Sequence, residues 1–298
     1  MHLLITIVRL MLWGSILFIF LSFNEASQVI NTIRSLATVG IFVCIICEIV
    51  LKPMILFQHI CQLLSKITQL KTSKSTPLDA HNVQTNAYIL PFKGNWFVYN
   101  GGISKCNSHS WGLISQRYAY DFIKIDNNGK SYIGSRKNVA NYYCYNQDIL
   151  APADGVVVKV KNSLKDSRIF RFGITDKAVK DIRGNYILIR HSFNEYSVLA
   201  HLKKGSITVK KGDAVKCGDL IAKCGNSGNS TEPHLHFQVQ KGKSFYFSEG
   251  IKINFINYTL INSDNNIISH KASKVIRHNV SKEGYVTKGD IVVTAESE

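Results

Sequence analysis

"STEPHLHFQV" (residues 230–239) places His234 and His236 two positions apart in a run that otherwise reads as a strand. Alternate side chains of a strand point to the same face. The two imidazoles therefore project together, while Leu235 points the other way, into a core. A histidine pair in this arrangement suits a metal site but cannot hold a metal alone. The other donors must come from elsewhere in the chain.

Immediately upstream, "KKGDAVKCGDLIAKCGNSGN" (210–229) twice sets a Gly-Asp turn before an apolar run, and "APADGVVVKV" (151–160) has the Asp-Gly counterpart. These are hairpin signals, which make Asp154, Asp213 and Asp219 turn residues. "NYILIRH" (185–191), "YSVLAHL" (196–202), "SITVKKGD" (206–213) and "LIAKCG" (220–225) read as further strands. From about residue 86 onward the chain is a succession of such runs broken by Gly, Asn and Asp, with no long helix after residue 75. The reading is a mainly β, antiparallel, sandwich-like domain over residues 86–258. Residues 259–298, with weaker runs such as "GDIVVTAES", read as a C-terminal β extension.

The N-terminal part has a different texture. "LLITIVRLMLWGSILFIFLSF" (3–23) carries one charge, Arg9, and "LATVGIFVCIICEIVLKPMILF" (36–57) carries Glu48 and Lys52. A bilayer takes roughly 20 apolar residues to cross. Residues 1–72 are therefore expected to form a membrane segment with two transmembrane helices, followed by a polar linker over 73–85. Lysines 52, 66, 71 and 74 follow the second run, and the positive-inside rule would place that side in the cytoplasm.

Net charge is +16, of which +13 lies beyond residue 72. A basic soluble part suits a polyanionic neighbour such as anionic lipid or cell-wall polymer. No Lys/Arg run interleaved with aromatics points to nucleic acid. Cys106, Cys144, Cys217 and Cys224 have no Cys-x-x-Cys spacing, so neither a disulfide framework nor a cysteine metal site is demanded. Oligomeric state is not readable.

Eight histidines lie beyond residue 72. His81, His270 and His278 sit in polar sections and default to surface roles, and His191, at the end of "ILIRH", is read as structural. His201 ends "YSVLAH". His109 lies in "NSHSWGLISQRYAYDF" (107–122), which runs into a strand that is expected to end at Asp121. Tyr118 and Tyr120 in this stretch are read as core and groove wall.

Those motifs, "NSHSWGLISQRYAYDF", "GNYILIRHSFNEYSVLAHL", "KKGDAVKCGDLIAKCGNSGNSTEPHLHFQV" and "GIKINFINY", resemble, in the same order, the LytM/lysostaphin-type zinc peptidoglycan endopeptidases over roughly residues 90–258. The resemblance implies that His109, Asp121 and His236 hold Zn2+ and that His201 and His234 are the catalytic histidines in an open groove. The 12-residue step from His109 to Asp121 is longer than in many members, and resembles one branch of the family. The chemistry agrees with the assignment. A catalytic zinc keeps three protein ligands and leaves one position for water, and two imidazoles with one carboxylate leave the site positive. Asn185 and Glu232 are read as outer or loop-shaping groups.

The function implied is that of a membrane-anchored metalloendopeptidase cutting peptide cross-links of bacterial peptidoglycan, with its catalytic domain on the extracytoplasmic side. The competing reading is a non-catalytic wall-binding or regulatory module of the same fold. A carrier domain, suggested by the Gly-Asp hairpins, leaves the histidines unexplained.

Overall fold

The computed structural model describes residues 84–170, 175–176, 179–261, 277–279 and 285–294, with scattered helical residues between 28 and 67. The chain divides into two compact units, Met1–Phe57 and Gln58–Glu298. In the first, the described helical residues lie between 28 and 43, where Thr32 Oγ1 donates to the Gln28 carbonyl at 3.0 Å. Among the described residues no helix is long and apolar enough to cross a membrane. The expected span over 3–23, residues 44–57 of the second, and most of the linker lie outside the described residues.

The second unit is built of short strands. Its first half contains β1 (Tyr88–Ile89), β2 (Asn95–Asn100), β3 (Tyr120–Ile123), β4 (Asp148–Leu150), β5 (Gly155–Lys161), β6 (Asn185–Ser192) and β7 (Glu195–Leu202). The second half contains β8 (Ala214–Val215), β9 (Leu220–Lys223), β10 (Leu235–Lys241), β11 (Glu249–Ile251), β12 (Phe255–Ile256), β13 (Tyr258–Ile261), β14 (Arg277–Asn279) and β15 (Ile291–Thr294). Eleven of them form one sheet in the order β14-β13-β15-β2-β3-β10-β7-β6-β5-β8, with β11 also on β10. All its pairings are antiparallel. Two ribbons, β4-β9 and the parallel β1-β12, complete the fold. The mainly β reading holds.

Two local expectations are corrected. "SITVKKGD" (206–213) is not a strand, because Thr208 spends its N–H on the Ile221 carbonyl and its hydroxyl on that of Leu220, as an isolated attachment rather than a ladder. Asp121 stands near the start of β3 rather than at a strand end, because Ile114–Gln116 curl into a 3-10 turn and delay the strand to Tyr120. The described strands of the C-terminal β extension join the main sheet, with β15 between β13 and β2. Asp213 and Asp219 do close turns, accepting from the N–H of Lys210 and Lys216 at 2.9 and 2.7 Å.

Strand β10 carries the centre of the domain. Leu235, Phe237 and Val239 enter the main core with Trp96, Phe122 and Phe255. Their alternates His236, Gln238 and Gln240 are buried on the other face. Both faces are thus covered, and the polar file must satisfy itself internally. At the entrance to the domain the buried Glu195 carboxylate accepts from Thr85, Asn86 and the Tyr88 hydroxyl, the last at 2.6 Å, pinning the incoming chain to β7.

A candidate metal centre

Sheet register assembles the site. On the ladder, His236 of β10 pairs with Asp121 of β3 on one side and Ala200 of β7 on the other, and Asp121 pairs onward with Asn100 of β2. Paired residues share a face, so Asp121 and His236 project together. His201, one past Ala200, should point away. It does not, because its φ of 61° lies in the left-handed region. The β6–β7 register shifts at this place, between Asn185/Leu202 and Ile187/Leu199. This bulge turns the His201 ring back to within 4.6 Å of His234 and 5.8 Å of His236, centroid to centroid.

The loop 226–229 holds that ring. Gly228 (φ +83°) packs so tightly on Gly184 that a Cβ would lie 2.3 Å from the Gly184 nitrogen. The close approach brings the Ser227 carbonyl to 2.8 Å from His201 Nδ1. A carbonyl only accepts, so Nδ1 carries the proton and the Nε2 lone pair is open. His234 is fixed the same way: its Nδ1 donates to the Glu232 carbonyl at 2.8 Å, leaving Nε2 3.7 Å from Asp121 Oδ1. Asn185 clamps the loop from below, accepting from Leu164 N–H and donating to the carbonyls of Leu164 and Leu202.

His109 Nδ1 lies 3.1 Å from Asp121 Oδ2, and His236 Nδ1 lies 3.0 Å from Oδ1. The donor atoms of His109, Asp121 and His236 all fall within 4.8 Å of one another. Tetrahedral zinc, with ligands at about 2.0–2.1 Å, needs donors roughly 3.3 Å apart. Two imidazole nitrogens and one carboxylate oxygen at these separations fit such an ion. His109 is the exposed member, 40% accessible against 5–8% for the other two side chains.

Two groups not singled out from sequence support the three donors. Gln238 Nε2 is committed to the Ser115 carbonyl and to Gln240 Oε1, while Gln240 Nε2 is committed to the carbonyls of Gly242 and Ser244. Gln238 Oε1 must therefore accept, and His236 Nε2 donates to it at 2.9 Å. This file, whose period of two was visible in "LHFQVQ", fixes His236 as a ligand through Nδ1. Asn100 Nδ2 donates to Asp121 Oδ2 at 3.0 Å from 21 residues away, and no sequence signal marked it.

Electrostatics separate the imidazoles. Burial would raise the Asp121 carboxyl, but His109, then His236 and His234, hold it far below the usual carboxylate range. Burial pushes His201 well below the ordinary histidine value, helped by His234 and His236. It also pushes His234 down, against the pull of Asp121. For His236 the burial effect is outweighed by its hydrogen bond to Asp121, and the pKa rises. Burial thus favours the neutral form of His201 and His234, whereas Asp121 favours the protonated form of His236. Burial lifts the Glu232 carboxyl, with Arg136 and Ser131 opposing.

The five residues open on a cavity of about 340 Å³ that also takes in Arg183, Glu232 and Phe245. His191 lies elsewhere, tied to the Asp154 carbonyl and Ser197 at 2.7 Å each, in its expected structural role. Tyr118 and Tyr120 are buried. Cys106, Cys144, Cys217 and Cys224 are free thiols.

Residues 139–248 match Peptidase family M23. The chain carries a Peptidase family M23 domain. His201, His234 and His236 fall inside the matched stretch of the M23 domain, while His109 and Asp121 precede it. An uncharacterized metalloprotease of Buchnera aphidicola is 36% identical over 104 residues, 35% of this chain and 23% of that protein. Peptidoglycan DD-endopeptidase ShyB of Vibrio cholerae is 48% identical over 56 residues, 19% of this chain and 13% of its own length. Murein hydrolase activator NlpD of Salmonella dublin is 33% identical over 138 residues, 46% of this chain and 31% of its own. The chain spans less than a third of the length of each of these relatives.

Proposed function

We propose that the chain is a zinc endopeptidase that hydrolyses peptide cross-links of bacterial peptidoglycan, anchored by its N-terminal apolar runs with the M23 domain on the extracytoplasmic side. The observation that carries the reading is the convergence of His109, Asp121 and His236 beside two further imidazoles whose Nε2 atoms are free. The similarity to a named peptidoglycan endopeptidase supplies the substrate class. Apolar runs 3–23 and 36–57 motivate the anchor, and a wall substrate motivates the placement.

His109 Nδ1, the Asp121 carboxylate and His236 Nδ1 would hold the zinc. When bound, zinc supplies Lewis acidity that brings water toward deprotonation near neutral pH and polarises a carbonyl. His201 and His234 do the proton work. Each is neutral, with Nδ1–H fixed on a backbone carbonyl, so each presents a basic Nε2. One Nε2 takes the proton of the attacking water and returns it to the leaving amine nitrogen; the other, also an acceptor, orients that water by accepting its second hydrogen. Gln238 and Asn100 keep His236 and Asp121 in line. Buried Phe245 and Ala200 line the cavity beside these imidazoles and limit the access of bulk water.

A second reading, a non-catalytic activator, is favoured by the similarity to the protein named as a murein hydrolase activator. Digestion of cross-linked peptidoglycan by the purified full chain, with and without chelator, separates the two. The endopeptidase releases fragments with new amine termini, and chelator abolishes them. About one zinc per chain with no new amine termini on any cross-linked substrate would overturn the catalytic reading. For the anchor and its placement, external protease should cleave the M23 domain in spheroplasts; complete resistance would reverse the orientation.

A further inference from the structure

The cavity also takes in a cation that hydrolysis does not use. Arg183 lines it from the turn leading into β6, and its side chain is 15% accessible. The guanidinium is held along one edge by a carboxylate and lies against two aromatic rings. Nε donates to Asp181 Oδ1 at 2.9 Å and Nη2 to Asp181 Oδ2 at 2.7 Å. The guanidinium carbon lies 4.1 Å from the Tyr186 ring centroid and 5.3 Å from that of Phe245. Phe245 in turn stands 6.5 Å from the His236 ring, so a single aromatic ring separates the guanidinium from a candidate ligand. The remaining terminal nitrogen, Nη1, donates to none of the described residues.

Enclosing a guanidinium is costly, and Asp181 with two aromatic rings offsets much of that cost. Here the fork is held rigid on one edge and left with donors on the other. Asp181 cancels the long-range field, so what the cavity offers is short-range, directed N–H donation, the geometry that suits a carboxylate. Asp121 is enclosed by imidazoles, and the Glu232 carboxyl, lifted by burial, lies beside Ser131 and Arg136.

We infer that Arg183 is a specificity-determining residue that binds a free carboxylate on the substrate residue flanking the scissile bond. The inference rests on the endopeptidase reading and sharpens it. The preferred cross-link carries a carboxylate next to the cut, and a bridge without one, such as a glycine chain or an amidated residue, is the poorer substrate.

Two synthetic cross-linked peptides, identical except for carboxylate or carboxamide at that residue, test it with the full chain. The wild type is expected to favour the carboxylate about 10- to 100-fold in kcat/KM, mostly through KM, the range of a charged hydrogen bond. Arg183→Met should bring the ratio to about one, and Arg183→Lys should keep part of it. A wild-type ratio within about twofold overturns the inference, as does an unchanged ratio in Arg183→Met. The wild-type comparison stands even if Arg183→Met, which leaves Asp181 unpaired, melts early. Calorimetric binding of both peptides to the chelator-treated chain separates this inference from the one beneath it. Preferential binding of the carboxylate peptide without cleavage by the metal-loaded chain sustains Arg183 and sinks the endopeptidase; equal binding sinks Arg183.

Discussion

At the residue scale the site turns on which imidazole nitrogen carries a proton. His201 and His234 have donors locked on carbonyls and basic Nε2 atoms in the cavity. His236 has Gln238 as acceptor on one side and a carboxylate on the other, so both neighbours favour its protonated form. Two predictions belong here. His201→Asn should keep the fold, since Asn tolerates the left-handed backbone, keep the metal, and lower kcat by about 10²–10⁴; metal analysis beside steady-state kinetics checks it, and retained activity would remove His201 from the reaction. Metal binding must displace the His236 proton, so affinity should fall as the pH drops, beginning above the ordinary histidine value near 6.5 because that pKa is raised. Competition against a chelating dye across pH reads this directly, and a flat profile would contradict it. The depressed pair acts in the opposite sense. Folded His201 and His234 bind fewer protons than the unfolded chain below about pH 6.5, so they contribute a loss of stability as the pH falls through that window.

At the element scale, pairing brings distant residues together and bulges aim them. Asp121, His236 and Ala200 lie in one row across β3, β10 and β7. Strand β15 supports the edge of that row. It pairs with β2, the Lys288 N–H donates to the Gly101 carbonyl, and Tyr120 Oη donates to the Val286 carbonyl. Gly101 N–H in turn bonds the Asn107 carbonyl, two residues from His109. The extension therefore braces the His109 loop. Val292 is fully buried, and Val292→Asp would place an unpaired charge there at a cost of about 3 kcal/mol or more. Denaturant melts should show that loss, together with weaker metal binding from a loosened His109. A variant as stable as the wild type would mean that β15 is dispensable.

At the scale of the whole molecule, the charge of +16 sets how the chain meets its surroundings. Adsorption to an anionic wall polymer should weaken steeply between about 0.05 and 0.5 M salt as the Debye length shrinks, while cleavage of a small soluble peptide should change little. Sedimentation with wall fragments at several salt concentrations measures the first. Salt-independent adsorption would assign wall affinity to specific contacts instead of charge.

The sequence by itself determined the class of fold and most of the donors. Alternation and Gly-Asp turns are local properties, set by strand geometry and by the few residues that accept tight turns, and "LHFQVQ" shows its two faces without any partner. His234 and His236 stand out as a pair because they share one face of such a strand, whereas Asp121 and His109 could be named as donors only through the resemblance to the LytM/lysostaphin-type endopeptidases. What only the tertiary structure decided was non-local. Asn100 meets Asp121 through a ladder, β15 enters the sheet beside β2, and Arg183 shares a cavity with His236 across Phe245. His201 joins the site against the alternation of its own strand, because a bulge and a glycine–glycine contact some forty residues apart turn its backbone left-handed. Such placements depend on register and close packing between segments far apart in the chain, and a period of two along one strand carries no information about either.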